Sequence, residues 1–307
     1  HIAAYKTSLR ALAQANIETV CYNFMPILDW TRTSLRAPQS HGGAAMLFDL
    51  TDFAVFDLHI LERRGAAEDY VDALRAAAFE RFSQMSGGDK TILQRNITAG
   101  LPGANDSWSL ADVRRLLNSY KGITTERLRA NLVDFLSEVA PLAETLGMRL
   151  CCHPDDPPFP LLGLPRVMSS SADYSAVLNA VDLPANGATL CTGSLGVSPS
   201  FDGPEFVKKH GPRIHFAHLR NTKRLASLMS DKPNFFEAPH LDGDTDMVGT
   251  VHALMVEQDR RKAEGRADWQ ISMRPDHGQE LLSDLGGHSM PGYPLIGRMR
   301  GLAELRG

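Results

Sequence analysis

Short apolar runs alternate with amphipathic stretches along this chain. The runs are residues 17–24 (IETVCYNF), 148–153 (MRLCCH), 188–192 (ATLCT), 213–219 (RIHFAHL) and 270–273 (QISM). Each is short, rich in branched or apolar side chains, and followed by a Pro- or Gly-bearing segment, which is how strands buried on both faces read. Between them lie helical stripes. Leu128, Leu132, Phe135, Leu136, Val139, Leu142 and Leu146 share one face, with Gly147 placed to terminate it. Met247, Val248, Val251, Leu254 and Met255 share another behind Asp246, a good N-cap residue. Tyr174, Val177, Leu178 and Val181 form a shorter stripe.

Repeated strand–helix units predict an α/β fold with a parallel sheet. A closed (β/α)8 TIM barrel needs eight units, and the pattern supplies five. An open doubly wound sheet is the alternative, but no glycine-rich phosphate loop follows the first visible strand. The opening residues from His1 already read as mid-helix. The expectation is therefore a single TIM-barrel domain over residues 1–307, with the first strand–helix units preceding His1 and missing from this stretch. Residues 63–125 break the rhythm. They are charged, carry short apolar stripes at 70–82 and 110–117, and predict a helical insertion serving as a lid or an oligomer contact.

Composition narrows the class. Of 307 residues, 43 % are hydrophobic and 22 % charged, which excludes disorder and fibrous rods. A net charge of −4 argues against nucleic acid or an anionic membrane as partner. No apolar run approaches the ~20 residues of a membrane helix. The four cysteines, at 21, 151, 152 and 191, show no disulfide spacing. A reducing, cytoplasmic setting is expected.

The chemistry collects where the apolar runs end. His153 ends the second run, Cys191 lies at the end of the third, His218 is near the end of the fourth, and Asp276 and His277 follow the fifth. In a parallel barrel all strand C-termini open on one rim. Residues 153, 191, 218 and 276 would then converge, and imidazole, thiolate and carboxylate together suit a divalent transition metal. A thiolate favours Zn or Fe over Mg. Arg220 and Arg274 flank the presumed ligands, and with Asn23 and Asp155 they are candidate contacts for an acidic, oxygen-rich small molecule. Lys223 and Arg224 could add cations, and His215 could point inward or outward. The loop 23–33 offers Asp29, Trp30 and Arg32 to the same rim. His277 and Tyr293 are candidate proton-transfer groups.

The segments CYNFMPILDWTRT, CCHPDDPPFPLLGLPR, LCTGSLG, RIHFAHLRN, HLDGDTDM, MRPDHG and PGYPLIGRMRGLAELRG together resemble the mannonate dehydratases, over essentially the whole chain. That resemblance implies a metal-dependent (β/α)8 barrel similar to xylose isomerase. It implies dehydration of D-mannonate to 2-keto-3-deoxy-D-gluconate in hexuronate breakdown. It makes His153, Cys191, His218 and Asp276 ligands of Mn2+ or Fe2+, and gives His277 and Tyr293 catalytic roles. Members of that family begin with about three further units of the eight, and only some carry an insertion like 63–125. The expected assembly is a homo-oligomer, a dimer. Rival readings are another metal-dependent sugar or sugar-acid isomerase or epimerase on the same barrel, or an inactive truncated barrel.

Overall fold

In the computed structural model, which describes residues 1–28, 30–99, 108–226 and 231–307, each of the five apolar runs forms a strand. The order begins α1 (Ile2–Gln14), β1 (Thr19–Tyr22), β2 (Ser34–Pro38), β3 (Ala44–Phe48), α2 (Leu50–Val55), α3 (Asp72–Gln84), α4 (Gly87–Thr98), α5 (Leu110–Ser119) and α6 (Thr125–Thr145). It continues with β4 (Arg149–Cys152), α7 (Ser171–Ala180), β5 (Asn186–Cys191), α8 (Thr192–Gly196), α9 (Gly203–His210), β6 (Ile214–Leu219), β7 (Asn221–Leu225), β8 (Asn234–Ala238), α10 (Met247–Ala263), β9 (Ser272–Pro275) and α11 (Leu295–Arg306).

Strands β1, β4, β5, β6 and β9 lie side by side in that order, all parallel. In a flat sheet, strands three places apart would be about 14 Å apart. Cα atoms of β1 and β6, three places apart, come within 8 Å of one another. The sheet therefore curls as a barrel wall does, and all its strand C-termini open on one rim.

The helices cover the outside of this wall. The stripe on α6 is buried as the periodicity predicts: Leu132, Leu136 and Val139 are fully inaccessible and pack with Leu150 of β4, Tyr174 and Val177 of α7 and Leu190 of β5. Thr124 caps the start of α6 by accepting from the Arg127 amide. Its end is closed by Gly147 at φ +68°, with Gly147 N–H on Glu144 O and Met148 N–H on Ala143 O. That pair of bonds requires a left-handed residue, hence glycine. Asp246 caps α10 as expected, accepting from the Gly249 amide at 2.8 Å.

A second, antiparallel sheet was not legible in the pattern: β2, β3, β8 and β7, in that order. Under it lies a separate core of Phe48, Phe53, Phe56, Phe235, Leu93, Ile97 and Val113, with the rings of Phe48 and Phe235 stacked at 5.4 Å. Residues 72–84 and 110–119 are helical, close to the predicted stripes, and α4 adds a third helix behind a Ser86–Asp89 capping box. Among the described residues no helix is long and apolar enough to cross a membrane.

Candidate metal centre

Parallel register does the gathering. Cys191 is the register partner of His218 across β5 and β6, and His218 in turn of Arg274 across β6 and β9. His153 follows β4 directly, and its amide is held by Tyr22 O of β1. One ligand atom from each of His153, Cys191 and His218 lies within 4.8 Å of the other two. The facing ring nitrogens, His153 Nε2 and His218 Nδ1, are 3.2 Å apart. Asp276 joins at one corner, with Oδ2 3.7 Å from His218 Nδ1.

The donor set fits a divalent cation. His153 Nδ1 sits 2.7 Å from Pro154 O. Donating there commits Nδ1 to that carbonyl and makes Nε2 the nitrogen that would meet a cation. Burial alone would raise the Cys191 thiol, but His153, His218 and Arg220 outweigh it and hold the thiol well below its ordinary range. A metal-ready thiolate results. Burial would likewise raise Asp276, yet His277, His218, Arg220 and Arg274 hold it well below the ordinary carboxylate range.

In front of these donors is a cavity of about 310 Å3, at the small end of the range of small-molecule sites. Asn23, Trp30, Arg220, Arg274, His277 and Tyr293 line it. Tyr293 arrives in the loop before α11, its ring 5.3 Å from that of His277 and edge-on to it. The loop passes so close that a Cβ on Gly292 would lie 2.5 Å from Met46 Cε and 3.1 Å from His277 Cδ2. Arg274 donates to Asp276 Oδ1 at 2.6 Å, and its side chain is still 44 % exposed.

Other sequence candidates sit elsewhere. Asp155 does not line the cavity. It is buried and accepts from the Met168 amide and Ser169 Oγ, both at 2.8 Å, bracing the loop after β4. Its neighbour Asp156 faces the cavity instead. Lys223 and Arg224 belong to β7, where Arg224 bonds Gly196 O and Asp244. His215 packs against Pro184 O at 3.0 Å. Asp29 lies outside the described residues.

The sequence reading missed a buried charge cluster behind the cavity. Arg220 donates Nε and Nη2 to the two Glu237 oxygens, each at 2.7 Å, and Nη1 to Asp156 at 2.6 Å. Arg32 donates to the same two acids, to Asp156 at 2.9 Å and to Glu237 at 2.8 Å. All four side chains are at most 2 % exposed. Glu237 lies on β8 and Asp156 follows β4, so the cluster fastens the antiparallel sheet to the barrel rim. Arg32 and Arg220 were legible in sequence as rim cations, but Glu237 shows only as a single carboxylate within the apolar NFFEA run.

Two outcomes follow from that cluster. Removing one member of a buried pair strands the others, at about 3–5 kcal/mol. Arg32→Met should therefore lower the melting temperature by on the order of 10 °C, and a thermal melt within 2 °C of wild type, as an order-of-magnitude tolerance, would contradict this. The acid limit is set here too. Burial would raise Asp156 and Glu237, but Arg220 and Arg32 hold both below their ordinary values of 3.8 and 4.5. Depressed folded-state values stabilise above the unfolded values and lose that stability as pH falls. The melting temperature should be level down to about pH 5 and drop steeply below about pH 4; a flat profile to about pH 3 would refute the assignment.

The D-mannonate dehydratase (UxuA) family model matches residues 1–307. The chain belongs to the D-mannonate dehydratase family. It is 54 % identical to the mannonate dehydratase of Rhizobium meliloti (strain 1021) and 55 % identical to mannonate dehydratase 1 of Agrobacterium fabrum. Each alignment spans 307 residues, all of this chain and 76 % of the relative. The crystal structure of the mannonate dehydratase from Streptococcus suis serotype2 superposes over all of this chain and 70 % of its own, with a TM-score of 0.69 at 29 % identity. The barrel reading of the five units is thus the fold of the D-mannonate dehydratase family.

Proposed function

We infer that this chain is a hydro-lyase that dehydrates D-mannonate to 2-keto-3-deoxy-D-gluconate. The observation carrying that conclusion is the convergence of His153, Cys191 and His218 at adjacent strand ends in a chain matching the family from end to end. His153, Cys191, His218 and Asp276 would hold the divalent cation; the thiolate favours Zn or Fe over Mg, and the family resemblance implies Mn2+ or Fe2+. A cation so held would supply Lewis acidity for the negative charge that develops on the substrate.

The residues then divide the work. Arg274, part-exposed at the cavity, receives the substrate carboxylate, and Asn23 a hydroxyl. Arg220, its donors already committed to acids, supplies fixed positive charge from behind. The reaction moves two protons. One leaves C2 and one reaches the departing 3-hydroxyl, which goes as water; the enol then ketonises. Burial and the Asp276 charge push the Tyr293 phenol above its ordinary value, so it stays protonated and serves as the acid. His277, whose ring packs edge-on against it with centroids 5.3 Å apart, takes the C2 proton. The same reading carries a cytoplasmic homodimer, supported by four free cysteines and by exposed Leu295 and Met299 on α11.

Incubating the metal-loaded protein with D-mannonate and, separately, with aldoses tests the activity. A 2-keto-3-deoxy acid should accumulate from mannonate alone. Turnover of an aldose with none from mannonate would transfer the chain to the isomerase reading.

A further inference from the structure

We propose that Glu237 is a positioning residue of the reaction, acting through His277. The inference rests on the reading of His277 as the base. The His277 side chain is 5 % exposed, and its Nδ1 makes no ordinary hydrogen bond. The carboxylate facing it is Glu237, with Oε2 at 3.5 Å. The other ring nitrogen, Nε2, lies 3.9 Å from Asp276 Oδ2, on the side of the metal donors. A carboxylate that accepts from Nδ1–H assigns the hydrogen to that nitrogen and leaves the lone pair on Nε2. A separation of 3.5 Å is long for such a bond, but catalytic hydrogen bonds commonly tighten only when substrate is present.

The surroundings make Glu237 a fixed point rather than a passing neighbour. Both its oxygens are clamped by Arg220 and one by Arg32, and Gln279 Nε2 donates to its backbone carbonyl at 2.8 Å. The imidazole has little freedom of its own. Trp30 and Tyr293 meet it edge-on at 6.0 and 5.3 Å, and the backbone of Gly292 closes on Cδ2. The antiparallel sheet thus delivers through β8 the carboxylate that faces Nδ1. That role differs from holding the cluster together, since Asp156 contacts both arginines and is not among the groups facing His277 Nδ1.

The experiment compares Glu237→Gln and His277→Ala with wild type as metal-loaded enzymes, at a temperature where circular dichroism shows each folded. It reads kcat and KM for D-mannonate together with metal content. Glu237→Gln should lower kcat at least about tenfold, the scale of orienting partners, with metal content and KM unchanged. A smaller fall, a raised KM or lost metal would overturn the inference and reduce Glu237 to a structural role. Should Glu237→Gln not accumulate as folded protein, Glu237→Asp keeps the cluster's charge while withdrawing the carboxylate by one methylene, and faces the same criteria. His277→Ala separates the two claims. Full kcat there defeats the base reading itself, whereas a large loss there beside a normal Glu237→Gln defeats only the positioning role.

Discussion

Cys191→Ala should lose its metal and its turnover together. The thiolate lies between two imidazoles and is kept ionised by His153, His218 and Arg220 against the cost of complete burial. Alanine removes a strong anionic donor and leaves two imidazoles and one off-corner carboxylate, a set that binds divalent ions far more weakly. Altering even an outer partner of a metal site typically costs about 10–100-fold, so a lost ligand should cost at least about 100-fold in metal affinity. The fold should survive, because a small apolar residue replaces a buried sulfur that behaves as a small hydrophobe. Metal analysis of the purified variant, set beside its rate of keto-acid formation, checks this. Full metal occupancy with wild-type turnover would remove Cys191 from the site.

Tyr293→Phe probes the other half of the reaction and should behave oppositely. Phenylalanine keeps the ring that packs on His277 and under Arg298 and removes only the hydroxyl. Metal content and stability should match wild type, while kcat falls by about 10²–10⁴, the usual contribution of a positioned proton donor. Unchanged kcat would take Tyr293 out of the mechanism. Together the two variants separate holding the cation from moving the proton.

The sequence pattern was informative where burial is two-sided. Runs such as MRLCCH and RIHFAHL are apolar along their length because helices cover one face and the barrel interior the other, so their positions and their functional ends could be read directly. Strands β2 and β7 resisted for the opposite reason. They lie at the edges of the antiparallel sheet, and NTKRL carries lysine and arginine where a buried strand would be apolar. Helix α4 opens on two glycines, which lower helix propensity. In the PDD motif, nothing in the order of two adjacent acids tells which points inward, and Asp156 rather than Asp155 does. Arg220 was visible as a cation at a strand end, but its partners stand 64 and 17 residues away, and only the fold reveals that its donors are already committed to acids.

The same cluster ties together parts of the chain that are far apart in sequence. Arg32 meets Asp156 across 124 residues of chain and Glu237 across 205. Contacts so remote in sequence raise the contact order of the fold, which slows folding as a whole. The candidate metal donors are spread likewise, from His153 after β4 to Asp276 after β9. Neither the cation site nor the proton-transfer pair is therefore the property of a local segment, and both require the whole rim to be in place.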